Sequence, residues 1–213
     1  MANILKKLKI NLIGCGAIAA HHAEVILANG MIINSVVGSK NSKNVKKFAK
    51  KFKIKKYYLN SHEMFKDLQD VDGFVVAVPH AITLFYVKKI RKLGLPALIE
   101  KPLALNHNLL KPYLKTKNIK VAYNRRFYGS VKDAQKFVSK KKNMMVHINL
   151  PEIINDKNKS KKKIYKRVLS NSVHAIDLIY YLFFKPKIIY QKSVYNKRNN
   201  KGCVVIFRDL NNN

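Results

Sequence analysis

The chain has 213 residues, enough for one large domain or for a typical domain plus a smaller one. Its 47% hydrophobic content can bury a sizeable core, and its 8 glycines and 6 prolines are too few for a disordered chain. The formal charge of +32 admits polyanionic partners, whereas no apolar run approaches the ~18–20 residues a membrane helix needs.

Leu8–Ile13 reads as a first strand, Ile18–Ala28 as a helix stopped by Asn29-Gly30, and Met31–Val37 as a second strand. From Ser42 to Phe52, Val45, Phe48, Ala49 and Phe52 fall at helical spacing and form a stripe for one buried face. Ile54–Leu59 is a short third strand, and Ser61 is placed to cap a helix over Glu63–Leu68. Gly73–Val78 is a continuous apolar run, the pattern of a central parallel strand buried on both faces. Ala81–Leu93 reads as a helix ended by Gly94, Ala97–Ile99 as a fifth strand, Leu105–Leu114 as a helix, and Ile119–Tyr123 as a sixth strand.

After about Asn124 the rhythm changes. Val131–Val138 is helical, Met144–Leu150 reads as a strand, and Glu152–Lys163 as a polar, lysine-rich loop. Asn171–Phe184 is an apolar helix closed by Pro186. Ile188–Tyr195 and Cys203–Phe207 read as strands around a turn at Asn199–Gly202. The predicted fold class is α/β: a Rossmann-type doubly wound parallel sheet over residues 1–123, followed by a small α+β substrate domain over residues 124–213. Right-handed crossovers gather the loops that follow the strands at one edge of such a sheet, which is where ligands bind.

The densest chemical signal is Gly14-Cys15-Gly16-Ala17-Ile18-Ala19, directly after the first strand. In this GxGxxA pattern the first glycine permits the tight turn. The second removes a side chain where a pyrophosphate approaches the backbone, and the small Ala19 lets the helix pack on the sheet. Gly14, Gly16, Ala17 and Ile18 are therefore predicted to contact the phosphates of a dinucleotide, which face the helix N-terminus. At the end of the second strand an acid would bind the ribose hydroxyls of NAD. Val37-Gly38-Ser39-Lys40 has none, and a hydroxyl followed by a cation suits a 2′-phosphate. The reading favours NADP, with NAD still open, and Lys40 also reads as one more solvated lysine.

The charge excess is nearly all lysine, it is dispersed, and asparagine is abundant too. Those two residues share A/T-rich codons. Solvated faces and codon bias are thus preferred over a nucleic-acid site, which rests on charge alone. Cys15 and Cys203 form neither a disulfide framework nor a metal-ligand cluster, so no metal is expected; both read as small buried residues in a reducing compartment. Met1–Lys9 lacks the pattern of a signal peptide, and a cytoplasmic protein is the expectation.

Three further segments follow the glycine turn in order: Ala77-Val78-Pro79-His80, Glu100-Lys101-Pro102-Leu103-Ala104, and Val173-His174-Ala175-Ile176-Asp177-Leu178. Together these resemble the Gfo/Idh/MocA oxidoreductases, the glucose-fructose oxidoreductase and inositol dehydrogenase family, over about residues 8–184. Tyr123-Asn124-Arg125-Arg126-Phe127 is similar to the family's opening of its second domain. The resemblance implies hydride transfer between a nicotinamide and a hydroxyl or carbonyl carbon of a sugar, inositol or nucleotide-sugar. It implies that Lys101 hydrogen-bonds the reacting oxygen, Glu100 positions the cofactor or Lys101, and Pro79 lies against the nicotinamide.

By the same resemblance His174 and Asp177, three apart on a helix face, reach substrate hydroxyls and do acid/base work. Asn124 and Arg126 join them at the substrate. His174 also reads as a core histidine, and His80 as a ligand contact or a surface residue. The chain departs from the family in Thr83, which stands where a histidine is frequent. It departs again in the stretch Tyr165–Ser172, which lacks the usual glycines and acid. Family members run well past 300 residues, so a reduced C-terminal domain is expected here. A homo-oligomer and a carbohydrate-like small-molecule substrate are expected as partners. The basic Arg125, Arg126 and Arg167 suit an anionic substrate. A non-catalytic dinucleotide-binding or regulatory protein is the alternative function.

Overall fold

In the computed structural model, which describes residues 6–39, 44–140, 146–149, 161–183, 186–195 and 201–209, the first apolar run becomes β1, Lys9–Ile13. It is followed by α1 (Ala17–Ala28), β2 (Ile32–Val37), α2 (Asn44–Lys51), β3 (Lys56–Tyr58), α3 (Ser61–Lys66), β4 (Gly73–Val76), α4 (His80–Leu93), β5 (Ala97–Ile99) and β6 (Ile119–Val121). The six strands are all parallel, in the order β3-β2-β1-β4-β5-β6. Chain order reverses between β1 and β4, and the carboxyl ends of those two strands flank the crevice where such sheets bind ligands.

Helices cover both faces of the sheet. Leu12, Val36 and Val75 pack with Ala19, Ala23 and Ile26 of α1 and Val45, Phe48 and Ala49 of α2. Ile13, Val37, Val76 and Ile99 pack with Met64 of α3 and Val87 and Ile90 of α4. All four residues of β4 are buried, as expected of a strand with helices above and below it. Gly94 ends α4 in the left-handed conformation at φ 69°, the usual glycine stop.

Local details differ from the sequence expectations for identifiable reasons. The cap of α3 is Asn60 rather than Ser61: Asn60 is extended, and its side-chain oxygen accepts the His62 amide at 2.9 Å. The third strand is only Lys56–Tyr58, because Ile54 instead buries its side chain in the core under α2. Leu105–Leu114 becomes a 3-10 helix, His107–Tyr113, with Pro112 inside it; proline offers no amide for an α-helical bond.

The chain divides into two units, Met1–Ala122 and Tyr123–Asn213. The second contains a 3-10 turn (Asn124–Phe127), α5 (Gly129–Val138), α6 (Lys161–Leu182) and an antiparallel pair, β7 (Pro186–Tyr195) with β8 (Lys201–Asp209). Helix α6 starts ten residues before the expected Asn171. It takes in Lys161–Lys163, which the sequence reading put in a loop; no glycine or proline interrupts 161–170, and lysine is a good helix former. Pro186 opens β7 rather than directly closing the helix, and Lys201-Gly202 belongs to β8 rather than to a turn. Of the expected strand at 144–150, residues 146–149 carry no regular structure, and the rest lies outside the described residues, as do 152–160 and 199–200. Among the described residues no helix is long and apolar enough to cross a membrane.

Candidate functional site

In the first unit the predicted residues collect along the carboxyl edge of the sheet. Gly14 and Gly16 follow β1, Ser39 follows β2, Pro79 and His80 follow β4, and Glu100 and Lys101 follow β5. The two glycines of the turn do different work. Gly14 is buried at φ 117°, and a Cβ there would stand 2.2 Å from the carbonyl oxygen of Ala77. It exists to let β1 turn while touching the end of β4. Gly16 is exposed, and a Cβ there would meet nothing within 4 Å.

Gly16 caps α1 without any side-chain hydrogen bond, and the first turn carries no acid. Ala17 and Ile18 are exposed beside it. Open space, uncapped amides and the positive end of a 12-residue helix fit a pyrophosphate. At the end of β2, Gly38 is held between its neighbours, since a Cβ would lie 2.9 Å from Cβ of Val45 and 3.1 Å from Sγ of Cys15. Cys15 is partly buried, and Ser39 is exposed. Lys40 lies outside the described residues.

Pro79 is the exposed cap of α4, and His80 is its first residue, partly buried. Thr83 is buried and donates its hydroxyl to the Pro79 carbonyl at 3.4 Å. After β5, the Glu100 amide donates to the Val76 carbonyl at 2.8 Å, one rung beyond the strand. The Glu100 carboxylate is shared: Oε1 lies 2.9 Å from Nε2 of His22 on α1, and Oε2 accepts the Lys101 amide at 3.1 Å. Burial pushes this carboxyl up, but His22 and the Lys101 amide outweigh it and hold the group below the usual carboxylate value. An ionised carboxylate only accepts, so Nε2 of His22 is the donor. Lys101 is partly buried, Pro102 is buried, and the peptide between them is cis.

In the second unit, Arg126 and Asp177 are each other's partners. Nε of Arg126 donates to Oδ2 of Asp177 at 2.7 Å, and Nη2 donates to Oδ1. The aspartate side chain is 5% exposed and the arginine 37%. The guanidinium stands 5.5 Å from the Tyr123 ring centre and 5.2 Å from that of Tyr181. The hydrogen bond to Asp177 raises the Arg126 pKa. Burial, reinforced by the Asp177 charge, raises that of Tyr123 against the opposing charge of Arg126. His174 is buried on α6 and meets Tyr123 edge-on, with centroids 6.2 Å apart. Asn124 is exposed at the start of the 3-10 turn.

Two partners in this description, His22 and Tyr181, were given no place at the site by the sequence reading, and Tyr123 entered it only as the first residue of the Tyr123–Phe127 motif. His22 was detectable. It falls on the stripe Ala19, His22, Ala23, Ile26 that faces the sheet, and a polar side chain there must find a partner. Tyr181 lies four residues past Asp177 on the same face of α6, which is a weaker signal.

A family model described as "Oxidoreductase family, NAD-binding Rossmann fold" matches residues 8–120. A search of curated proteins gave no match. Among solved structures the chain is similar to myo-inositol dehydrogenase from Lactobacillus casei in complex with NAD(H) and myo-inositol. That pair has a TM-score of 0.75 and 16% identity, over 95% of this chain and 65% of that one. It is also similar to a myo-inositol dehydrogenase from Corynebacterium glutamicum, with a TM-score of 0.75 and 18% identity over 97% and 66% of the two chains. A third is the WlbA (WbpB) dehydrogenase from Thermus thermophilus in complex with NAD and UDP-GlcNAcA, with a TM-score of 0.68 and 19% identity over 89% and 67%. Identities this low show a shared fold alone. The chain spans 65% of the length of the first of these structures.

Proposed function

The chain belongs to the Gfo/Idh/MocA oxidoreductases, a family with an NAD-binding Rossmann fold, and from that premise we propose that it is a dehydrogenase acting on a hydroxyl carbon of a sugar, inositol or nucleotide-sugar. The observation that carries this reading is the open space at Gly16, at the uncapped start of α1, on the same sheet edge as Glu100-Lys101. Solved structures with this fold hold NAD together with myo-inositol or UDP-GlcNAcA, which supports the substrate class. A cytoplasmic location belongs to the same proposal.

A bound nicotinamide supplies the hydride acceptor or donor. The amides at the exposed start of α1 would hold the phosphates, and Pro79 and His80 would border the nicotinamide end. Lys101 hydrogen-bonds the reacting oxygen and follows its change in charge. In the second unit we assign proton transfer at a substrate hydroxyl to His174. Asp177 anchors Arg126, whose remaining donors suit substrate oxygens, as does the exposed Asn124 two residues before it.

The cofactor preference proposed is NADP, on Ser39 and Lys40, where an acid would otherwise hold the ribose diol. Nicotinamide fluorescence titration tests both points. NADPH is expected to bind more tightly than NADH, and Ser39→Asp to move the ratio of dissociation constants at least ~10-fold toward NADH, about 1.4 kcal/mol. An unmoved ratio overturns the 2′-phosphate reading, and a folded protein that binds neither cofactor overturns the function. Turnover against sugars, inositols and nucleotide-sugars, neutral and anionic, then identifies the substrate class. Lys101→Ala is expected to abolish it while binding persists. The second reading, a dinucleotide-binding protein without turnover, is favoured by one observation: the Asp177 carboxylate is already committed to Arg126.

A further inference from the structure

We propose that His22 is a positioning residue for Lys101, acting through Glu100. The proposal rests on the assignment of Lys101 above. His22 lies on α1 beyond the glycine turn, and Glu100 lies at the end of β5, 78 residues away in sequence. Their 2.9 Å contact links the helix that receives the dinucleotide to the strand that presents the lysine. The same carboxylate accepts the Lys101 amide at 3.1 Å through its other oxygen.

The two bonds use the two oxygens of one planar group, so fixing one fixes the other. With His22 in place, Glu100 has a single orientation, and the backbone from which the Lys101 side chain departs is held against it. Without His22, the carboxylate is free to rotate toward water and release the Lys101 amide. Both side chains are mostly shielded, at 17% and 21% exposure, so the bond is not a solvated surface pair. The Glu100 amide is held separately, by the Val76 carbonyl. That separation allows the coupling to be measured without turnover.

The experiment compares wild type, His22→Ala and His22→Gln by amide hydrogen exchange and by steady-state kinetics. In His22→Ala, exchange of the Lys101 amide should rise about tenfold, the size expected for loss of one hydrogen bond to a charged group. Exchange of the Glu100 amide should stay as in wild type. On a turned-over substrate, kcat should fall about tenfold with the KM for dinucleotide moving less than about threefold. His22→Gln, which keeps a donor, should recover most of both effects.

If the Lys101 amide is indifferent to His22→Ala, the proposal is overturned. If both amides lose protection together, His22 merely supports the fold and the proposal is again overturned. If the Lys101 amide responds alone but wild type turns over no substrate in the panel, the positioning link stands and the dehydrogenase reading fails.

Discussion

Three glycines separate two causes of strain and one of function. Gly94 has φ 69° with nothing within 4 Å of its Cβ position; Gly14 has φ 117° and a Cβ position 2.2 Å from Ala77 O; Gly16 is extended at φ −88° with open space. Gly94→Ala therefore meets only the cost of a left-handed L-residue, about 1–2 kcal/mol. Gly14→Ala meets a backbone conformation reserved for glycine, about 1–3 kcal/mol, and also an overlap with a main-chain oxygen. That oxygen belongs to the end of β4, inside the sheet, and cannot swing aside as a side-chain tip can; forcing it costs about 1–3 kcal/mol more.

The total for Gly14→Ala is then about 2–6 kcal/mol, or on the order of 10–20 °C in Tm for a unit of this size. Gly16→Ala should leave Tm within about 2 °C yet weaken NAD(P)H binding at least ~10-fold, because the new methyl stands where phosphates approach. Thermal unfolding followed by circular dichroism, with nicotinamide fluorescence titration on the same samples, checks all three variants. A Gly14→Ala protein as stable as Gly94→Ala would refute the overlap reasoning. A Gly16→Ala protein that binds normally would refute the phosphate site.

The Arg126–Asp177 pair predicts an asymmetry. Arg126→Met strands a carboxylate that is 5% exposed and should cost about 3–5 kcal/mol in urea unfolding of the second unit. Asp177→Asn leaves a guanidinium that is 37% exposed and still between two tyrosine rings, for about 1–2 kcal/mol; equal losses would show that burial does not set the order. Tyr58 is raised to about 12 by burial and by the hydrogen bond it donates to Asp67 at 2.5 Å. The fold favours its neutral phenol, so this stabilisation is present below the unfolded value near 10 and is lost as pH rises through about 12. The tyrosinate difference spectrum of wild type against Tyr58→Phe should show that midpoint, and a midpoint near 10 would remove the Asp67 contact from consideration.

Much of the first unit was legible because its signals are local. The four-residue burial of β4 follows from an uninterrupted apolar run, and the buried face of α2 from Val45, Phe48 and Ala49 at helical spacing. The GxGxxA turn is read from residue size alone. The missed features are those that sequence distance hides: His22 meets Glu100 across 78 residues and Arg126 meets Asp177 across 51. Both pairs are set by tertiary packing, and only the polar residue on an otherwise apolar stripe leaves a trace in the sequence. The start of α6 was missed for another reason: a lysine-rich stretch without glycine or proline suits a helix as well as a solvated loop. The substitution of Asn60 for Ser61 as cap reflects two good capping residues in succession, between which backbone conformation decides.

The Glu100 amide bonds to Val76 one rung beyond β5, and the Ala122 amide bonds to Ile99 on the other side. Lys101 thus stands one residue past the last hydrogen-bonded rung, and its address is inherited from the ladder rather than from a loop. At the opposite edge the connections before β4 and β5 are anchored where they meet the sheet: the Asp72 amide donates to the Lys9 carbonyl, and the Pro96 carbonyl accepts the Phe74 amide, both at 2.9 Å. Both rims of the six-stranded sheet are thus tied into its ladder, and an insertion before β4 or β5 would leave Lys101 in place only if it spared those two bonds.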